Sequence, residues 1–175
     1  MQGGGLKVIG PMLKGKDMNF KENSICSFPN EDRIRTFENF NKIRLPNKYV
    51  LFINQFNGGE PIDLTLTVEG EERLIEKFLC LLDDPHADAI AGQYGIGVVL
   101  SQIEDRLTDD EDQIGAVIIP FAALFGGDFL CMDYRGNKYP KVVVWDHEES
   151  DELYPVTYHV SDTFDDFLDL IAFDI

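Results

Sequence analysis

Asp146-His147-Glu148-Glu149-Ser150-Asp151 is the densest set of metal ligands or proton carriers in the chain. Acid–base or metal chemistry there would need several of these side chains to converge on one point. Val142, Val143, Val144 and Trp145 lead into the set as a β-branched strand. On a strand Asp146 and Glu148 share one face while His147 points to the other, so sequence neighbours cannot chelate one ion together. The spacing is also not that of a zinc-binding His-Glu-x-x-His helix. A solvated acidic strand end fits these residues better than a metal site.

Two further sets invite a chemical reading. Gly126-Gly127-Asp128-Phe129 resembles the Gly-Gly-acid-acid-Phe hairpin of nucleotide cyclases. The second acid is absent, and metal-dependent phosphoryl transfer wants several oriented carboxylates. Glycines that permit a tight approach to a buried strand explain the run more simply. Cys131 has His147 and Asp133 as conceivable triad partners, but a mid-strand thiol in apolar surroundings is held protonated and inert. No Gly-x-Ser-x-Gly elbow, P-loop or Gly-x-Gly-x-x-Gly fingerprint occurs, and Gly95-Ile96-Gly97 alone is weak. His86 falls in a loop and His159 near a strand end, both positions of structural or solvated histidines. Asp133, a lone polar residue on an apolar strand, is placed to hydrogen-bond the following turn or to be held for a partner. No catalytic constellation survives this reading.

Residues 117–148 must position all of these groups. They read as strand, glycine loop, strand, turn, strand. Phe129 and Cys131 alternate with Leu130, Met132 and Tyr134, so both faces are apolar and the strand belongs mid-sheet. Arg135-Gly136-Asn137-Lys138 supplies the turn. Upstream, Asn30 caps a helix over 31–42 with Ile34, Phe37 and Phe40 inward. Leu45-Pro46 starts a second helix, in which Tyr49, Phe52, Ile53 and Phe56 form an apolar stripe ended by Asn57-Gly58-Gly59. Pro61–Val68 alternates as a half-buried strand. Residues 73–82 fit either a helix or a hairpin partner, and the tight turn before them selects strand. A helix over 97–107 buries Val99, Ile103 and Leu107, and the acidic loop Asp109–Asp112 follows. Tyr154–Val160 is a short strand. Ser161 or Asp162 caps a last helix with Phe164, Phe167, Leu168 and Ile171 inward and Asp162, Asp165, Asp166 and Asp169 outward. Helices, strands, a helix, strands and a helix in that order argue for an α+β domain with an antiparallel sheet.

At 175 residues, 44% of them apolar, the chain is expected to form one globular domain over 27–175 behind a flexible arm over 1–26 that contains Gly3-Gly4-Gly5. No run approaches a transmembrane helix, and Leu6–Leu13 is too short and broken for a signal sequence. Cys26, Cys80 and Cys131 have no CxxC or zinc spacing; an odd, scattered, apolar-flanked set implies reduced, buried thiols and a cytoplasmic protein. Net charge is −17, made of +4 over residues 1–50 and −21 over 51–175. Such a body repels phosphate backbones, which argues against nucleic acid, and steers basic partners. It serves plain solubility equally well.

The motifs accumulate into a family resemblance. Leu45-Pro46-Asn47-Lys48-Tyr49, Phe52 and Asn57-Gly58-Gly59-Glu60-Pro61 resemble the opening of the SUKH superfamily, the Smi/Knr-like domains. Ile119–Ala122, Gly127–Asp133 and Val143–Glu148 are similar to its central strands, and Ser161–Leu168 to its closing helix. The resemblance implies a curved antiparallel sheet flanked by helices. It implies a non-enzymatic role without cofactor: bacterial members are mostly immunity proteins that neutralise toxins, often nucleases, and eukaryotic relatives resemble cell-wall regulators and signalling scaffolds. The matching positions Leu45, Pro46, Tyr49, Gly58, Gly59, Asp133 and Trp145 serve fold as much as binding.

The expected function is therefore a toxin-neutralising immunity protein that docks a basic toxin and blocks its active site. The alternatives are a regulatory or scaffold domain with an endogenous partner, and an enzyme using Asp146, His147 and Asp133. The expected binding surface is the loops holding Asp109, Asp110, Glu111 and Asp112, and Asp146, Glu148, Glu149, Asp151 and Glu152, with aromatic Tyr134, Tyr139 and Trp145 at its centre.

Overall fold

The computed structural model describes residues 19–84, 86 and 89–173. Six strands, β1 (Thr65–Val68), β2 (Glu71–Phe78), β3 (Ile118–Leu124), β4 (Phe129–Asp133), β5 (Lys141–Trp145) and β6 (Thr157–Ser161), form one antiparallel sheet in sequence order. Among the described residues the helices are α1 (Glu31–Asn41), α2 (Asn47–Phe56), α3 (Ala89–Gln93), α4 (Ile96–Ile103) and α5 (Phe164–Phe173), with a single 3-10 turn over Glu104–Arg106. This is the expected α+β fold. The outer strands β1 and β6 touch, so the sheet curves back on itself.

The alternation in β4 has the predicted result: Leu130, Cys131 and Met132 are fully buried mid-sheet. Gly126 and Gly127, at φ +100° and +105°, make the β3–β4 connection that a side chain would strain. The stripe of α2 packs as its spacing requires, with Tyr49, Phe52 and Ile53 each 1% exposed. These rings interlock with α5 and the sheet: Tyr49 meets Phe164 edge-on at 5.2 Å, Phe121 meets Phe167 at 5.2 Å and Phe52 meets Phe78 at 4.7 Å. Asn30 caps α1 as expected, its side chain accepting from the Arg33 N–H at 2.8 Å.

Residues 71–78 take the strand alternative. Other expectations need correction. Phe40 was expected inward but is 74% exposed, because α1 stops at Asn41 and Lys42 turns left-handed at φ 55°. The strand foreseen from Pro61 starts only at Thr65: Asp63 at φ 51° breaks the extended run and leaves Ile62 on the surface. The helix foreseen over 97–107 splits at Ile103, and the 3-10 turn carries the chain on to bury Leu107. The strand foreseen from Tyr154 begins at Thr157. Thr163, not Ser161 or Asp162, caps α5: its Oγ1 accepts from the Asp166 N–H at 3.0 Å, while Ser161 is still in β6 and buried.

The arm expected over residues 1–26 lies outside the described residues as far as residue 18. From Phe20 onward the chain is packed. Phe20 stacks on Phe56 at 4.8 Å, Lys21 pairs with Glu60 at 2.9 Å, and the Cys26 N–H donates to the Asn57 carbonyl at 2.7 Å.

Candidate functional site

The chemically suggestive residues of the central hairpin are committed to structural pairs. Asp128, 4% exposed, accepts from the His147 backbone N–H at 2.9 Å, lies 2.7 Å from His147 Nδ1, and accepts from Arg73 Nη1 at 3.1 Å. The imidazole fills the space over Gly127, where an added Cβ would stand 3.2 Å from the ring. His147 therefore pairs with Asp128 and not with Cys131. Cys131 is fully buried, and burial pushes its thiol well above the ordinary range. Asp133 closes the turn after β4: it accepts from the Arg135 N–H at 3.0 Å and from the Arg135 guanidinium at 2.8 Å. Among the described residues no three His, Cys, Asp or Glu side chains are grouped to hold a metal ion. The triad of Cys131, His147 and Asp133 is not assembled.

Two of the three expected aromatic anchors are corrected as well. Tyr134 is 7% exposed, its hydroxyl donates to the Arg44 carbonyl at 2.7 Å, and burial pushes its phenol up. Trp145 is 1% exposed and its Nε1–H donates to the Arg106 carbonyl at 3.0 Å, with the Arg106 guanidinium 5.1 Å above its ring. Trp145 is paired across strands with Phe129 and covered by the 3-10 turn, so it is core. Tyr139 alone stands on the surface, with the Lys138 ammonium 5.5 Å from its ring.

A cleft of about 600 Å³ lies between the end of α1, the end of α4 with its 3-10 turn, the 108–117 loop and Glu152-Leu153. Leu100, Leu107, Val117 and Leu153 are its apolar lining, and Phe40 stands exposed at its edge. Glu104, Asp105, Asp110, Glu111 and Glu152 line it with carboxylates, and among the described residues no Lys, Arg or His lines it. None of the five is in an ion pair among the described residues.

The local sequence holds this cleft open. Asn41, 3% exposed, donates from Nδ2 to the Phe37 carbonyl at 3.0 Å and accepts from the Ala116 N–H at 2.8 Å, tying α1 to the start of β3. Gly115, at φ +78°, lets the backbones touch: a Cβ there would fall 2.7 Å from Asn41 Cα. On the other wall the Leu153 N–H donates to the Asp105 carbonyl at 2.8 Å. Arg106 laces the two loops together, donating to the Ser150 carbonyl at 2.6 Å and to the His147 carbonyl.

The fold thus brings Asp110 and Glu111 from one expected acidic loop together with Glu152 from the other. It adds Glu104 and Asp105, which sequence reasoning passed over because they continue a helical stretch, and Phe40, which a helical wheel placed inside. Asp109, Asp112, Glu148 and Asp151 are exposed but do not line the cleft. Asp146 and Glu149 turn to a separate hollow of about 300 Å³ beside Glu69, Glu71, Arg73 and Tyr158. There Asp146 Oδ1 accepts the N–H groups of Glu148 at 2.9 Å and Glu149 at 2.8 Å, and the Tyr158 hydroxyl donates to Glu149.

A six-stranded meander with helices α2 and α5 over an aromatic core, its titratable hairpin groups internally paired, is an α+β domain of the SUKH kind. The chain belongs to the SMI1-KNR4 cell-wall family, whose SUKH_6 model matches residues 31–168. No curated protein and no solved structure matches it. Most of the family-motif positions sit where the fold needs them. Leu45, Tyr49 and Trp145 are buried, Pro46 opens α2, Asp133 closes a turn, and Gly58 at φ +70° ends α2. A Cβ on Gly59 would stand 2.7 Å from the Phe20 ring.

Proposed function

We propose that this protein is a cytoplasmic immunity protein that binds a basic, nuclease-type protein toxin and covers its active site, with the acid-lined cleft as the docking face. The observation that carries this reading is the set of five carboxylates beside apolar lining, with no cation among the described residues that line the cleft. Unpaired like charges at a recess repel one another and are relieved by a positive partner. The −21 charge of residues 51–175 extends the same field over the surface and speeds encounter with a basic cleft. Apolar lining within a polar rim is the arrangement in which a few buried contacts carry most of a binding energy. The same charge repels nucleic acid, so the protein competes with a nuclease's substrate for the toxin and does not share it. Nothing in this role calls for catalysis or a cofactor.

The test is co-expression with the toxin encoded beside it. Wild type restores growth, and the charge-reversed Asp110→Lys/Glu111→Lys/Glu152→Lys protein, folded by circular dichroism, does not. Equal rescue by both would remove the cleft from the mechanism.

A second reading is favoured by the family's own description, which refers to the cell wall: a regulatory or scaffold domain that uses the same face on an endogenous basic protein. Partner capture from the native organism in the absence of any toxin separates the two.

A further inference from the structure

Cys26 and Cys80 are far apart in sequence, yet their side chains meet over one glycine. A Cβ placed on Gly58 would lie 3.0 Å from Cys80 Cβ, 3.1 Å from Cys26 Sγ and 3.9 Å from Cys26 Cβ. The two cysteines thus share the space that a side chain at residue 58 would take. Their backbones are fixed there by the neighbouring Asn57. Its carbonyl accepts the Cys26 N–H at 2.7 Å, and its Nδ2 donates to the carbonyls of Ser27 at 2.7 Å and Leu81 at 3.0 Å. Its Oδ1 accepts the Leu81 N–H at 2.9 Å. One asparagine side chain therefore holds the segment after each cysteine, and the following glycine leaves room for the sulfurs.

The two thiols are not equivalent. Cys80 is fully buried, donates its S–H to the Ala91 carbonyl at 3.2 Å, and is pushed up to about 12 by burial first and by Cys26 next. Cys26 is half-buried, on the outer segment. Attack begins with the more accessible thiolate, and the buried thiol resolves the product slowly.

We infer that Cys26 and Cys80 are a redox-responsive pair that closes to an intramolecular disulfide and fastens residues 20–26 to the end of β2. The oxidant is a low-molecular-weight disulfide. The Cys26 thiolate attacks one of its sulfurs, breaking that S–S bond, forming a mixed disulfide and expelling one small thiolate. Cys80 then loses its proton and attacks the Cys26 sulfur, expelling the second small thiolate. Both leaving groups take up a proton. Two protein thiols are oxidised by two electrons, and one small disulfide is reduced to two thiols. A disulfide needs a Cβ–Cβ span of roughly 3.5–4.5 Å, and both cysteine Cβ atoms lie within 4 Å of the one position that a Gly58 side chain would take.

The test is oxidation of the full-length protein with oxidised glutathione, followed by peptide mapping and thermal melting. The expected result is a Cys26–Cys80 linked peptide in the monomer and a melting temperature raised by about 5–10 °C, reversed by dithiothreitol. Cys26→Ser gives neither the peptide nor the shift, and Cys131→Ser gives both. A terminal product in which Cys26 stays glutathionylated without the link, or a link that joins two chains or uses Cys131, overturns the pairing.

Discussion

Asp128 and His147 are locked together across the β3–β4 turn, with His147 Nδ1 2.7 Å from Asp128 Oδ1 and Arg73 Nη1 3.1 Å from the other carboxylate oxygen. The pairing converts what looks like catalytic material into a clasp between β2, the glycine turn and the end of β5. Asp128→Ala leaves Arg73 and His147 facing an empty recess. Because both partners are partly exposed, the cost is about 2–3 kcal/mol rather than the full penalty of a broken buried pair. Urea unfolding measures it, and a loss below about 0.5 kcal/mol would make the clasp ornamental.

Tyr49 carries its hydroxyl into the aromatic core, where the oxygen is buried with no hydrogen-bond partner among the described residues. Burial pushes its phenol up. Tyr49→Phe removes an unsatisfied polar group and keeps the ring contacts with Phe121 and Phe164. Stability is expected to stay level or rise by up to about 1 kcal/mol. A fall of that size, by the same unfolding measurement, would mean that the hydroxyl is satisfied.

Gly115→Ala combines a left-handed backbone with a Cβ driven 2.7 Å from Asn41 Cα. The expected loss is about 2–3 kcal/mol, together with weaker partner binding, because Asn41 and Ala116 hold the cleft wall. An alanine variant as stable as wild type would show that the α1–β3 junction yields freely.

Glu60 joins Lys21 and Lys77, at 2.9 and 3.2 Å. The hydrogen bond from Lys21, then that from Lys77, holds its carboxyl below the ordinary value of 4.5. A depressed folded value stabilises the protein above the unfolded carboxyl's range, and this stability is lost as pH falls through the folded value. Glu60→Gln should therefore flatten the acid limb of stability against pH and leave the slope at neutral pH unchanged. With Glu60 a third exposed, the effect is under about 1 kcal/mol. An unaltered acid limb would assign that limb to other carboxylates.

The parts of the fold set by local pattern were legible. Alternation over Phe129–Tyr134 marked a mid-sheet strand, and the Tyr49, Phe52, Ile53 spacing marked a buried helix face. Both are periodicities of the backbone itself. What needed three dimensions was not legible. Phe40 obeys the helical wheel but sits where α1 runs out, so among the described residues no neighbour covers it. Tyr134 and Trp145 resemble surface anchors until helices and turns are placed over their strands. Asp110, Glu111 and Glu152 were each identified, yet their convergence depends on the Arg106 and Leu153 hydrogen bonds, which leave no trace in spacing. Cys26 and Cys80 look scattered because a glycine and an asparagine, not a CxxC motif, bring them together.

Docking through the acid-lined cleft is tested most directly by the association rate with the cognate toxin domain as ionic strength rises, for wild type and for Asp110→Asn/Glu111→Gln/Glu152→Gln. Wild type should associate fast at low salt and slow steeply as salt screens the cleft. The neutralised protein should associate about tenfold more slowly at low salt, with a clearly shallower dependence. Identical rates and slopes for the two proteins would contradict docking at this cleft.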